Sequence, residues 1–345
     1  MEVKAPGVVK LLGEHAVVYG KLALAVAIDV YAKVSVEQNG TSGIEIVLSD
    51  LGNRSMEFKE DELEELFVSF KARSSLKEYI EQNSAIWPAI LPYATITSRL
   101  ISQLHLKTGG LRLSINSEIP VRKGFASSAA CSAAFTVALL NASKASVDDR
   151  TVIELARDGD RVIHQSEGAG AIDVSTSYYG GYVSYSNSTG ARKEEIEAQI
   201  PLLLVDTGPK KSTAEMVGKV AELYKDDKAN TESMLNELEK CSINGIRALK
   251  ANDMVKLGSC MFEAHSVLSK LGVSSDGLDS FVGFAKQNGF YGAKLSGGGG
   301  GGGAIGLCKN PDKMAALASK SRFAASKIAT TMIGARSFYL NKSGK

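Results

Sequence analysis

Four clusters in this chain have residue types and spacing that could carry out chemistry. The first is 118–130, Glu-Ile-Pro-Val-Arg-Lys-Gly-Phe-Ala-Ser-Ser-Ala-Ala. A strand-like run (Leu111, Leu113, Ile115) leads into it, and an Ala-rich helical stretch over 129–142 leads out. Strand, small-residue loop, helix start is a preferred place to hold phosphate. The first helical N–H groups have no intrahelical acceptor, and the helix dipole favours negative charge there. Serine hydroxyls at such a start cap the helix or ligate magnesium. No Lys-Ser/Thr pair follows the last glycine, so this is not a Walker loop.

The second cluster is Lys10, Glu14 and His15, set in an otherwise apolar run, where burying charge demands partners. The third is Asp160 and His164, followed by Gly168-Ala-Gly-Ala-Ile-Asp173. Asp173 is placed to take a proton from a hydroxyl or orient it, and Asp160 to ligate magnesium. The fourth is Lys294-Leu-Ser followed by seven glycines, 297–303. Taken singly, each pattern also fits a plainer role. These are a strand end with surface charges, a cap on a tightly packed helix, a solvated or capping carboxylate, and a flexible linker.

Apolar periodicity supplies the elements that must position these residues. Strands are predicted over 3–12, 23–28, 32–36, 111–115, 200–205, 292–295, 304–308 and 328–333. Helices are predicted over 59–83, 86–106, 129–142, 213–224, 230–251, 254–268 and 278–288, with one starting at Pro311. Another opens at Ser146 and runs towards His164, and 167–171 reads as a loop. Strands and helices mix hairpins with crossovers, so the fold class is α+β. The polar stretch 186–195 suggests a domain boundary, giving domains 1–190 and 191–345.

The 345 residues are 44% hydrophobic and 23% charged, with a net charge of +2, an ordinary globular composition with no basic block for nucleic acid. The apolar runs are too short to span a bilayer, and the N-terminus lacks a signal peptide's apolar core, so a cytoplasmic location is expected. Four scattered cysteines, with no Cys-x-x-Cys, argue against structural zinc or a disulfide framework.

Together the clusters resemble the three ordered motifs of the GHMP kinases, and within that superfamily the mevalonate kinases. Gly13-Glu14-His15-Ala-Val-Val-Tyr-Gly20 is similar to the first motif, 120–130 to the second and 294–305 to the third. Asp206-Thr-Gly and Lys211-Ser212-Thr213 are similar to the family's substrate-facing segment. The resemblance implies an N-terminal domain like ribosomal protein S5 domain 2, a ferredoxin-like C-terminal domain, and an active site in the cleft between them. It implies transfer of the γ-phosphoryl group of ATP to the 5-hydroxyl of mevalonate, with Mg2+. Asp173 then matches the catalytic aspartate, Ser128 a magnesium ligand, and Asp160 the position of a second metal ligand. Glu14, His15, Ser212 and Thr213 fall on the substrate side. Lys123, Gly124, Phe125, Ala126, Ser127, Ser128, Ala129, Gly298 and Gly299 fall on the ATP side. The partners expected are a small-molecule substrate and a second copy of the chain, with no nucleic acid and no membrane.

Three departures matter. Two extra residues separate His164 from Asp173. The family's lysine after Pro-Gly is Val8 here, with Lys10 two residues on; on a strand, i and i+2 share a face, so Lys10 is expected to replace it as a catalytic residue. Arg122 and Ala126 stand where mevalonate kinases carry glycines, and Gly-Phe-Ala-Ser-Ser-Ala-Ala is more like the related diphosphomevalonate decarboxylases. Arg122 and Lys123 beside the phosphates keep an already phosphorylated mevalonate open as acceptor. A catalytically silent metabolite sensor is the remaining class, disfavoured because Asp173 and Ser128 are both present.

Overall fold

The computed structural model describes residues 1–104, 109–120, 123–209, 211–321 and 323–338. The first half of the chain alternates β1 (Glu2–Leu12), β2 (Ala23–Gln38), β3 (Ile44–Leu48) and β4 (Arg54–Phe58) with α1 (Glu60–Ala72), α2 (Leu76–Gln82) and α3 (Leu91–Leu104). It continues through β5 (Leu111–Ser117), α4 (Ser127–Ala142), α5 (Asp149–His164), α6 (Ala171–Tyr179), β6 (Tyr182–Ser186) and β7 (Gly190–Lys193). The second half contains β8 (Leu202–Asp206), α7 (Thr213–Asp226), α8 (Lys228–Lys250), α9 (Met254–Lys270), α10 (Asp276–Gln287), β9 (Gly292–Leu295) and β10 (Gly303–Leu307). It closes with α11 (Pro311–Lys320), β11 (Ala324–Ile328) and β12 (Arg336–Phe338).

Two sheets result. One runs β12-β1-β2-β5-β3-β4, with β6 pairing β2 and β7; the other runs β11-β8-β10-β9. The chain thus leaves the first sheet after β7 and returns to it at its end, where Val3 of β1 pairs with Ser337 of β12. The segment read as a last strand over 328–333 is instead extended chain, held to β2 by an isolated bridge between Ile28 and Thr330. The two strands expected over 23–36 form one, with Asp29 and Val30 of β2 bulged between Ile28, opposite Gly7, and Tyr31, opposite Pro6.

Helix α4 is buried almost all round, as expected of a helix made of Ala, Ser, Phe and Leu at the centre of a domain. Its neighbour α5 starts at Asp149, not Ser146. The Asp148 carboxylate caps it, accepting from Thr151 N–H at 2.7 Å. Gly159 lets α5 lie close to its neighbours: a Cβ there would stand 2.7 Å from Ile96 and 2.9 Å from the Ser132 hydroxyl. That approach carries Asp160 inward to 2% exposure. Helix α6 was not expected. The left-handed Gly170 (φ +76°) begins it, and the Ser175 and Thr176 hydroxyls bond back to the Ala171 and Ile172 carbonyls.

Candidate active site

The side chains expected to do chemistry converge from elements far apart in sequence. Lys10 on β1 donates to Asp173 Oδ2 at 2.6 Å, and Asp173 sits in the first turn of α6, where the dipole favours a carboxylate. Val8 is 1% exposed and packs with Ala23, Ala25 and Ile172, while Lys10, two residues on, reaches the carboxylate. Burial works against the Lys10 charge. The adjacent Asp173 and the nearby Glu14 and Asp160 outweigh it and hold the ammonium's pKa above its ordinary value.

Asp160, on α5, belongs to the same cluster. Burial pushes its carboxyl pKa up and Asp173 adds to this, against His164, the Ser128 hydroxyl and Lys10. Gly170 closes over it: a Cβ there would meet Asp160 Oδ2 at 2.9 Å. The insertion between His164 and Asp173 therefore folds back and keeps the two carboxylates together. Ser128 Oγ and His164 Nε2 lie 3.1 Å apart, so His164 joins the site that its sequence context gave little reason to assign it. Asp160 Oδ1 and Asp173 Oδ1 are buried without hydrogen-bond partners. The Asp160 carboxylate and the Ser128 hydroxyl form a hard-oxygen donor pair that fits magnesium, an ion that keeps waters and substrate oxygens in its remaining positions. No larger group of His, Cys, Asp or Glu suited to a metal occurs among the described residues.

The phosphate loop has the geometry read from its letters. Ala126 is left-handed (φ +54°) and starts α4; Ala130 N–H makes the first intrahelical bond, to Ala126 O at 3.0 Å. The amides of Ser127, Ser128 and Ala129 thus have no intrahelical acceptor. Phe125 is 5% exposed and its carbonyl accepts from Val8 N–H at 3.0 Å, which pins the loop to β1. Ser127 Oγ lies 2.9 Å from Ser117 Oγ. Gly124 faces Gly297 across the cleft. Lys123 pairs with Asp206 at the end of β8. Burial opposes the Asp206 charge, yet Lys123 and the Gly208 N–H hold its carboxyl below the usual range. Arg122 lies outside the described residues.

Of the residues expected on the acceptor side, Glu14 and His15 follow β1. Glu14 is 2% exposed and accepts from Lys294 of β9, while its Oε2 has no partner. Burial pulls the Lys294 pKa below its ordinary value, with Glu14 opposing. Lys294 was legible only as a lysine inside an apolar strand; its partner is 280 residues away in sequence. His15 is left-handed (φ +61°), donates from Nε2 to Gly298 O at 2.9 Å, and burial lowers its pKa. Thr213 packs on Gly298, where a Cβ would meet its hydroxyl at 2.9 Å. Ser212 is exposed and caps α7, accepting from Glu215 N–H at 3.0 Å.

The family model for the GHMP kinases N terminal domain matches residues 92–181, and that for the GHMP kinases C terminal domain matches 246–325. A mevalonate kinase from Thermococcus sibiricus is 30% identical over 328 residues, which cover 93% of this chain and 92% of that protein. The chain belongs to the mevalonate kinase family of the GHMP kinases. A second member, from Pyrococcus abyssi, is 32% identical over 323 residues, 92% of this chain and 91% of that one. The crystal structure of Methanococcus jannaschii mevalonate kinase superposes with a TM-score of 0.77 at 25% identity, over 96% of this chain and 98% of that one. The two-domain GHMP kinase fold implied by the motifs is therefore the fold observed. As a member of this family the chain is an ATP-dependent kinase that phosphorylates a hydroxyl group. Among the described residues no helix is long and apolar enough to cross a membrane.

Proposed function

We propose that the chain phosphorylates the 5-hydroxyl of mevalonate, with Asp173 and Lys10 as catalytic residues. The observation that carries this is the 2.6 Å ion pair between them, with Asp173 Oδ1 buried and unpartnered beside the N-terminus of α4. Oδ1 accepts the acceptor's hydroxyl proton as the oxygen attacks. Lys10 balances charge as it builds on the attacking oxygen and the carboxylate. The amides of residues 127–129 hold the phosphate groups, and the Gly298–Gly299 backbone closes over the nucleotide from the opposite side. Asp160 and the Ser128 hydroxyl would hold the magnesium ion, which when bound supplies positive charge to the phosphate oxygens. Glu14 Oε2 and His15 orient the acceptor, with Thr213 behind them. Ser212 contributes by fixing the start of α7.

A phosphorylated acceptor would need spare cations beside the loop. Of the two cations there, Lys123 is already tied to Asp206, which favours plain mevalonate, and Arg122 lies outside the described residues. The test offers ATP and magnesium with mevalonate, mevalonate 3-phosphate, mevalonate 5-phosphate, homoserine and galactose. Mevalonate is expected to turn over, and its failure to do so would sink the reading. Asp173→Asn should lower kcat by about 10²–10⁴-fold at little change in KM, the range of a lost general base. Lys10→Ala should also lower kcat; if turnover survived, Lys10 would not be the replacement for the family lysine.

A further inference from the structure

We propose that His265 is a positioning residue for ATP, a single imidazole that holds both backbone supports of the glycine loop. His265 lies on α9, outside all four motifs, and is 4% exposed. Its Nδ1 accepts from Leu295 N–H at 3.3 Å and its Nε2 donates to Asp279 Oδ1 at 2.9 Å. An amide only donates, so Nδ1 carries the lone pair and the proton is on Nε2.

The first support is β9. It is the end strand of its sheet, with β10 on one side only. Ser296 N–H faces β10, bonding Gly303 O at 3.0 Å, so the alternation of a strand turns Leu295 N–H to the unpaired edge. There it is a buried donor that His265 satisfies. Leu295 stands between Lys294, which pairs with Glu14, and Ser296, which opens into Gly297–Gly303.

The second support is the α9–α10 connection. Asp279 Oδ1 also accepts from the Ser274 hydroxyl at 2.6 Å. Val273, next in the chain, accepts Gly300 N–H at 2.8 Å, and its carbonyl lies 2.1 Å from where a Gly299 Cβ would stand. The chain Leu295–His265–Asp279–Ser274 therefore links the strand entering the glycine loop to the shelf beneath it.

This inference rests on the glycine loop's part in ATP binding, and its test is independent of the acceptor. ATP affinity of the full chain is measured by calorimetry without acceptor. In His265→Asn, the amide oxygen is one bond beyond Cγ, as Nδ1 is, and can take the Leu295 N–H. In His265→Gln, the corresponding atoms reach Asp279, but the near acceptor is gone. His265→Gln should weaken ATP binding roughly tenfold, the scale of one orphaned buried amide. His265→Asn should recover most of that loss, and Ser274→Ala, which cuts only the lower link, should weaken binding in the same direction. Wild-type ATP affinity in His265→Gln, or His265→Asn no tighter than His265→Gln, overturns the proposal. Should the Gln variant not fold, unchanged affinity in Ser274→Ala overturns it equally.

Discussion

Lys294→Met separates what the cleft's buried ion pair does for stability from what it does for turnover. The Lys294 and Glu14 side chains are 0% and 1% exposed, and Lys294 Nζ also donates to Leu295 O at 2.6 Å. Removing the ammonium leaves a buried carboxylate without its hydrogen-bonded cation, a loss of about 3–5 kcal/mol. For a cooperative unit of 345 residues, an unfolding entropy near 2.1 cal/mol/K per residue gives about 0.7 kcal/mol/K, so Tm should fall by about 4–7 °C. Lys294→Met/Glu14→Leu replaces the pair by apolar groups and should restore most of the lost stability, since desolvating two charges offsets much of their attraction. It should not restore activity, because the proposed function gives Glu14 Oε2 to the acceptor. The assay is urea unfolding beside steady-state kinetics for all three chains. A loss below about 1 kcal/mol in Lys294→Met would refute a charged, water-excluded pair. Recovered turnover in the double variant would remove Glu14 from the acceptor's partners.

Other outcomes follow from the same geometry. In Gly303→Ala, the new Cβ falls 2.1 Å from Lys123 O, forcing β10 away from the phosphate loop. Stability should drop by about 1–3 kcal/mol and KM for ATP should rise in the same preparation. Gly283→Ala is the contrast: it lies within α10 with no atom within 4 Å, so it should stabilise by about 0.5–1 kcal/mol with kinetics unchanged. Burial lowers the His265 pKa against Asp279, which raises it, with Lys294 and Lys286 nearby also lowering it. The unfolded chain takes up a proton near pH 6.5 that the folded chain refuses. This contribution is therefore fully present above about 6.5 and falls as pH drops, by at most about 1.36 kcal/mol per pH unit. Urea midpoints at pH 7.5 and 5.5 should show it, and His265→Asn should lose less across that interval.

Local pattern carried the long elements and the chemistry inside each motif. β1 and the helices α7 to α10 fall within a few residues of their apolar periods, and the small-residue loop before α4 is the helix start that its letters imply. The misses have physical causes. Helix α6 has only nine residues between Gly170 and Gly180, too few for a period to show, and backbone geometry and hydroxyl back-bonds define it. The α5 start was misplaced because Ser146, Asp148 and Asp149 are all capping types, and only the bond from Thr151 N–H selects Asp148. The i, i+2 rule placed Lys10 on the face where Asp173 was found, since a strand's side-chain direction is local information. The pairing of Lys294 with Glu14 and of His265 with Leu295 was not legible, because it depends on how two sheets and α9 come together.

The glycine run shows how a costly sequence feature is put to use. A flexible linker would leave its amides to water. Here Gly300 N–H, and the Gly300, Gly302 and Gly303 carbonyls, bond to Val273, Lys211, Thr207 and Ser296 at 2.8–3.1 Å. Five of the seven residues have positive φ, where side chains are strained, and Cβ atoms at Gly299 and Gly303 would overlap carbonyl oxygens at 2.1 Å. What the lost chain entropy secures is backbone-to-backbone approach: Gly303 against Lys123 of the phosphate loop, and Gly297 opposite Gly124. Two loops from different domains then meet backbone against backbone. On the proposed reading a polyphosphate entering there meets backbone from both sides, held before it arrives, and phosphoryl transfer draws most of its rate from that kind of fixed polar environment. His15, bonded to Gly298 O, and Lys10, bonded to Asp173, link the acceptor side to the same frame.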